Sequence, residues 1–363
     1  MPDFTIKQIN TIDVAEGMEL AEDIIYANGL LLFPRDTVLT DKHIIKMNLY
    51  QIHSVYIKIF NDHPSYDKTL EPKKLSTEQK NLKQRFAKFS KDYEVQEKKA
   101  QEQLTKISEG HSVKITDLFS TSAQLVQDLG TQSDLFSHLC HLKTSDDATY
   151  THCLNVSMLC NIFAGWLHFD EQQTESLTVA GLLHDIGKTK IDRSILNKPG
   201  KLTPEEFQIV KDHTKIGYQM LRDKDMDEGI KLAVLLHHEK MDGTGYPFGM
   251  NWDKVHPYAK IISILDIYDA MTSARTYHKR FSPFRVIKFF EDECYGVLDT
   301  YYMYIFLERI AHNYIGSLAR LSTGEECEIK FIHKKTPSRP IVQIDNLMIN
   351  LQQEPSIFIE EIL

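Results

Sequence analysis

The chain has 363 residues, 42% of them hydrophobic, and a net charge of -9. A pI near 6.0 argues against a general nucleic-acid binder, which carries a basic surface. A small anionic substrate stays compatible, because metal ions can supply local positive charge.

The five cysteines, Cys140, Cys153, Cys160, Cys294 and Cys327, show no CxxC spacing. An odd, unpatterned set in a chain this long reads as free thiols in a reducing compartment. Met1 to Asn10 lacks a basic segment followed by an apolar run, so no signal peptide is visible. No apolar run approaches the roughly 18 residues that span a bilayer. The expectation is a cytoplasmic protein with no membrane segment.

In chain order, residues 1–60 read as a small N-terminal α+β domain, a candidate regulatory module. Ile24-Ile25-Tyr26, Asn28-Gly29 and Leu30–Phe33 before Pro34 predict a hairpin. Thr40-Asp41 caps a predicted short helix over Ile44, Ile45 and Met47, and Val55-Tyr56-Ile57 predicts a strand. Residues 61–110 combine a polar linker with a long charged helix from Ser76 to about Ser108. In it Leu82, Phe86, Phe89, Tyr93, Ala100 and Ile107 follow steps of four and three, with Gln96 and Gln103 in seam positions. Two readings fit equally: a helix packed on its own chain, or the seam of a homodimer.

Residues 111–315 are mostly helical in period, with start signals at Thr203-Pro204-Glu205-Glu206 and Ser282-Pro283. Residues 316–363 change character. Leu318–Leu321, Glu326–Ile332 and Pro340–Ile344 predict short strands separated by turn residues, a small C-terminal β appendage. The fold class is therefore α+β, with a mainly α-helical core.

Of sixteen histidines, most stand alone and read as surface or structural residues. A subset differs in kind. His184-Asp185 ends the apolar stretch Leu177–Leu183, and His237-His238 ends Ile230–Leu236. His213 sits on a helix beginning near Pro204, and His152 near the start of one reaching about Leu167. Asp266 lies inside the apolar run Ile261–Ile267, where a lone carboxylate is costly unless paired or bound to metal. Imidazole and carboxylate donors suit zinc, iron or manganese. Seven such donors exceed the needs of one ion and match two ions sharing a bridging carboxylate.

Lys188 follows the His184-Asp185-Ile186-Gly187 turn. It can hold a phosphate oxygen, or be a solvated cation at a helix end. Asp242-Gly243-Thr244-Gly245-Tyr246-Pro247 directly follows the double histidine and is expected to border the metal pocket.

These stretches resemble the HD-GYP family of cyclic di-GMP phosphodiesterases, a branch of the HD hydrolases. The match covers Leu182–Lys188, Lys198–Leu202, His237–Pro247, Asp266–Thr272 and Arg275-Thr276-Tyr277, within about Tyr150 to Val297. Gly316–Ile344 also resembles an appendage that many members carry. The resemblance implies an HD-type helical core over 111–315. It implies that His152, His184, Asp185 and Asp266 hold one metal, and Asp185, His213, His237 and His238 the second, with Asp185 bridging. It implies two divalent ions, iron first and manganese as the alternative. Where some members place a glutamate ligand for a third metal, this chain has Ala148.

The implied activity is hydrolysis of cyclic di-GMP to pGpG, and onward to GMP, by a hydroxide bridging both metals. Lys188 would steady phosphoryl charge. Arg275 is a candidate phosphate contact, or equally a partner of Asp269. Tyr246 would stack on a guanine or shape the pocket wall. Two other readings compete: an HD phosphohydrolase of a different nucleotide, and an adaptor that binds cyclic di-GMP or a diguanylate cyclase (GGDEF) partner.

Overall fold

The computed structural model describes residues 4–11, 14, 17–25, 31–40, 43, 47, 52, 54–60, 77–128, 136, 138–139, 148–196, 198, 202–273 and 281–363. The chain divides into two compact units, residues 1–92 with 192–208, and residues 93–191 with 209–363.

In the first unit, β1 (Phe4–Asn10) and β2 (Glu19–Leu20) flank β5 (Ser54–Phe60) in an antiparallel sheet. The register runs from Phe4 opposite Phe60 to Asn10 opposite Ser54. Val55 and Ile57 alternate inward, and Leu20, Leu39 and Met47 join them in the core. On the other face Lys58 binds Asp36 at 2.5 Å and also Glu19. The predicted hairpin is present: β3 (Ile24–Ile25) pairs with β4 (Leu31–Phe33). Its Asn28-Gly29 turn lies outside the described residues, as do the linker at 61–75 and Ile44-Ile45; His43 and Met47 are helical.

The helices, numbered in chain order, are α1 (Thr77–Ser108), α2 (Ile115–Gln127), α3 (Ala148–Trp166), α4 (Glu171–Leu183), α5 (Arg193–Leu196), α6 (Pro204–Lys211), α7 (His213–Leu221), α8 (Glu228–Leu236), α9 (Pro257–Thr272), α10 (Pro283–Glu293) and α11 (Thr300–His312). The long charged helix predicted from Ser76 is α1. Its seam positions Phe89, Tyr93, Ala100, Gln103 and Ile107 are buried within the chain. Gln103 accepts from the Thr121 hydroxyl on α2 at 3.0 Å, which explains a glutamine in an apolar seam.

The second unit is built around α3. Leu154, Val156, Met158, Leu159, Cys160 and Phe163 are all buried, so α3 is apolar on nearly every face. It packs against α2, α4 and α9, and α8 packs against α4, α7 and α9. Reciprocal bonds between Asp170 and Gln173 form a capping box that starts α4. Thr203 and Glu206 make the same exchange at α6. The first cap fixes where α4, the helix that ends at His184, begins.

The C-terminal segment forms a five-stranded antiparallel sheet in the order β10-β6-β7-β8-β9. The three predicted strands are β6 (Leu318–Leu321), β7 (Glu326–Phe331) and β8 (Ile341–Ile344), joined by β9 (Leu347–Asn350) and β10 (Ile359–Ile362). Glu291 of α10 accepts from both the amide and the hydroxyl of Ser338, tying the sheet to the helices.

Among the described residues no helix is long and apolar enough to cross a membrane. Cys153, Cys160, Cys294 and Cys327 are buried free thiols, and Cys140 lies outside the described residues.

Phe163 anchors the core through edge contacts to Trp166, Tyr302 and Phe306. Phe163→Ala should cost about 3–5 kcal/mol in urea unfolding. The exposed Tyr301→Ala should stay within about 0.5 kcal/mol. Equal losses would contradict this placement of the core.

Candidate metal centre

Four helix ends and two helix interiors supply the site. His184 caps the C-terminus of α4, and Asp185 leads into a 3-10 turn, Ile186–Lys190. His213 opens α7, and His237 caps α8 with His238 next in line. His152 lies in the second turn of α3, and Asp266 in the middle of α9. Gly187 allows this convergence: a Cβ there would lie 1.9 Å from the His213 carbonyl oxygen. Only a residue without a side chain lets the 3-10 turn press against α7.

Asp185 is fully buried at the centre. Its Oδ1 faces His213 Nε2 at 3.2 Å and His237 Nε2 at 3.9 Å. Its Oδ2 faces His184 Nε2 at 3.4 Å, His152 Nε2 at 3.9 Å and Lys188 Nζ at 2.6 Å. The donor atoms of Asp185, His213, His237 and His238 lie within 4.8 Å of one another, as do those of His152, His184 and Asp185. Asp266 joins through His152, Oδ1 to Nε2 at 2.9 Å, and its Oδ2 lies 4.0 Å from His238 Nδ1.

The tautomers follow from what the other ring nitrogens meet. Nδ1 of His184 faces the Gly181 carbonyl at 2.7 Å, that of His213 the Val210 carbonyl at 2.7 Å, and that of His237 the Val234 carbonyl at 3.0 Å. A carbonyl only accepts, so each Nδ1 donates and each Nε2 keeps a lone pair. Those lone pairs turn toward one another: His213 Nε2 and His237 Nε2 are 3.4 Å apart. His184 Nε2 and Asp185 Oδ1 are buried without a hydrogen-bond partner. Electron pairs crowded together in a buried space repel unless a cation lies among them. The donor set therefore fits divalent metal ions.

Electrostatics agree with that fit. Burial, with His184 and His213 nearby, pushes the His237 imidazole down to about 3, so it stays neutral. Burial and the neighbouring His237 hold His238 well below its usual value. Burial works to raise Asp185, but the Lys188 ammonium together with His184 and His213 outweighs it and keeps the carboxyl well below the usual range. His152 is the exception. Burial would lower it, yet Asp266 and Asp269 push it up to about 9.

Asp269 escaped the sequence reading, which weighed it only as a partner of Arg275. It is buried on α9, where its Oδ2 accepts from His152 Nδ1 at 2.7 Å. Its signal was the spacing: it lies one turn beyond Asp266 in the same apolar helix. Glu239 was also missed. Fully buried, it accepts from the amides of Phe248 at 2.8 Å and Met250 at 3.1 Å, and so closes the loop after the double histidine.

That loop borders the cluster as expected. A Cβ at Gly245 would meet the His238 carbonyl oxygen and the Lys240 amide at 2.5 Å. The chain can thus fold back, and the Tyr246 ring stacks on His238 with centroids 4.6 Å apart. Lys211, unremarked in the sequence, places its Nζ 6.0 Å from the Tyr246 ring centroid. Lys188 reaches into the cluster instead of standing in solvent. Arg275 lies outside the described residues.

Residues 123–292 match the family described as HD domain. Over these residues the chain carries an HD domain. It is 36% identical over 207 residues to a cyclic di-GMP phosphodiesterase of Pseudomonas aeruginosa, covering 57% of this chain and 50% of the relative. A cyclic di-GMP phosphodiesterase of Thermotoga maritima is 39% identical over 135 residues, 36% of each chain. A 3'3'-cGAMP-specific phosphodiesterase of Vibrio cholerae is 28% identical over 216 residues, 59% of this chain and 49% of the relative. The chain thus spans half or less of the length of these relatives.

Two outcomes test the centre. Added Mn2+ at about a hundred times its dissociation constant should stabilise the fold by about 2.7 kcal/mol, read by thermal or urea unfolding with and without a chelator. Gly187→Ala should cost about 1–3 kcal/mol by overpacking and lower metal content by elemental analysis. A variant with unchanged stability and metal content would refute the close approach of the turn to α7.

Proposed function

We propose that this chain is a metal-dependent phosphodiesterase that opens cyclic di-GMP to linear pGpG and cuts it on to GMP. The observation that carries the reading is the division of the Asp185 carboxylate. One oxygen faces His213 and His237, and the other faces His184 and His152. Such a division suits a bridge between two ions, with His152, His184, Asp185 and Asp266 on one side and Asp185, His213, His237 and His238 on the other. Nitrogen and oxygen donors without thiolate suit iron, with manganese as the alternative. Two such ions supply Lewis acidity that polarises a phosphoryl oxygen and makes hydroxide available at neutral pH.

The chain's own residues do the rest. The Nδ1–H bonds of His184, His213 and His237 lock each ring, so little reorganisation accompanies substrate binding. Lys188, beside Asp185, offers a cation to phosphoryl oxygens as charge gathers there. Lys211, beside the Tyr246 ring, adds positive charge for a doubly anionic substrate, and the family resemblance offers Arg275 as a further phosphate contact. Tyr246 offers an aromatic face to a guanine or forms the wall beside His238.

A second reading keeps the chemistry and changes the base. One relative is named for 3'3'-cGAMP, so turnover of cyclic GMP-AMP is the alternative to be measured beside cyclic di-GMP. Anaerobically purified protein should hold two metal equivalents and convert cyclic di-GMP faster than cyclic GMP-AMP, with products resolved by chromatography. Tight binding without turnover at full metal loading would favour an adaptor instead.

Asp185→Ala should abolish turnover together with metal binding. Lys188→Ala should slow turnover by about 10²–10³-fold at unchanged metal content. Metal loss in the lysine variant would reassign that residue.

A further inference from the structure

The long helix α1 grips the turn of α3 that carries His152, and it does so at two points four residues apart. Tyr93 and Glu97 lie on one face of α1. The Tyr93 hydroxyl stands 2.6 Å from Asn155 Oδ1 and 3.2 Å from the Thr151 carbonyl. The Thr151 hydroxyl donates to Glu97. Thr151 and Asn155 bracket His152, one residue before it and three after. Tyr93, Thr151 and Asn155 are all buried.

From Asn155 the contacts continue inward. Its Nδ2 donates to Asp269 Oδ1 at 2.9 Å, Ser273 donates to the same oxygen at 2.8 Å, and Asp269 Oδ2 accepts from His152 Nδ1 at 2.7 Å. The path Tyr93–Asn155–Asp269–His152 is thus continuous and buried, and its direction is fixed. A carboxylate only accepts, so Asn155 must turn its amide nitrogen to Asp269. Its amide oxygen then needs a donor, and the Tyr93 hydroxyl is one. Without that hydroxyl the Asn155 oxygen loses a buried bond, and the competing flip would set oxygen against carboxylate oxygen.

We propose that Tyr93 is a positioning residue for the metal centre: through Asn155 and Asp269 it fixes the ring of His152, and α1 thereby sets the affinity of one of two metal sites. The inference rests on the reading of His152 as a ligand. A ligating imidazole depends on the partner of its other nitrogen, and loss of such partners lowers metal affinity by about 10–100-fold. The His213–His237 side of Asp185 has no part in this path.

The test uses the full chain and Mn2+ as probe, titrated calorimetrically into wild type, Tyr93→Phe, Asn155→Ala and the double variant. Gln103→Ala serves as control, because Gln103 is a buried clamp on the same helix that bonds Thr121 and the Asp117 carbonyl instead. Tyr93→Phe should weaken one Mn2+ site by at least about tenfold and leave the other unchanged. Asn155→Ala should strike the same site, and the double variant should add little to it. Gln103→Ala should lower thermal stability and leave both sites unchanged. The proposal is overturned if Tyr93→Phe keeps both affinities. It is also overturned if both sites weaken in proportion to lost stability, in the variant and the control alike, or if wild type takes up no Mn2+. Two Mn2+ sites in wild type with no turnover of any cyclic dinucleotide would sink the proposed activity and leave this inference standing.

Discussion

A buried carboxylate surrounded by imidazole lone pairs is the constraint on which the rest of the helical core depends. Asp185 has no solvent to turn to, and neither of its oxygens has a full set of protein donors. The rings of His184, His213 and His237 each spend their one N–H on a backbone carbonyl three residues earlier. Those choices aim the remaining electron pairs inward. They are stable only with positive charge among them, which Lys188 supplies in part and divalent cations can complete.

Much of the architecture serves to bring these residues together. The histidines at the ends of α4 and α8 can converge because a helix end lets its last side chain point along the axis. Gly187 removes the one side chain that would hold α7 away. Asp266 and Asp269 stand on one face of α9, so a single apolar helix delivers a candidate ligand and the residue that orients its neighbour. Glu239, between His238 and the loop, spends both carboxylate oxygens on loop amides. The stacking of Tyr246 on His238 thus rests on a buried carboxyl group held by the loop amides.

Five of the seven candidate donors stood out in the sequence because they break a pattern: His184-Asp185 and His237-His238 stop apolar helices, and Asp266 interrupts one, whereas His152 and His213 joined them through the family resemblance. The C-terminal strands β6 to β8 were legible from their turn residues. Strands β9 and β10 were not. Leu347 and Met348 are exposed, and Glu360-Glu361 breaks the alternation of the last strand, so neither carries a clean two-residue period. Tyr93 and Asn155 are separated by 62 positions, and a tyrosine in a heptad-like seam reads as packing. The structure shows that it both packs and donates. Local pattern marks which residues are unusual, but the partner that makes a polar residue tolerable in a core is set by topology.

One neighbour of the cluster gives it a chemical temperament. Cys153 follows His152 directly and is fully buried. Burial, reinforced by the Asp185 charge, pushes its thiol well above the usual range. The sulfur therefore stays protonated and offers no thiolate to a soft ion such as copper(I). For the same reason it is a poor target for peroxide, since the oxidation ladder begins at the thiolate. The sulfur next to His152 is thus a packing group, and the donors that converge in the cluster are imidazole nitrogens and carboxylate oxygens.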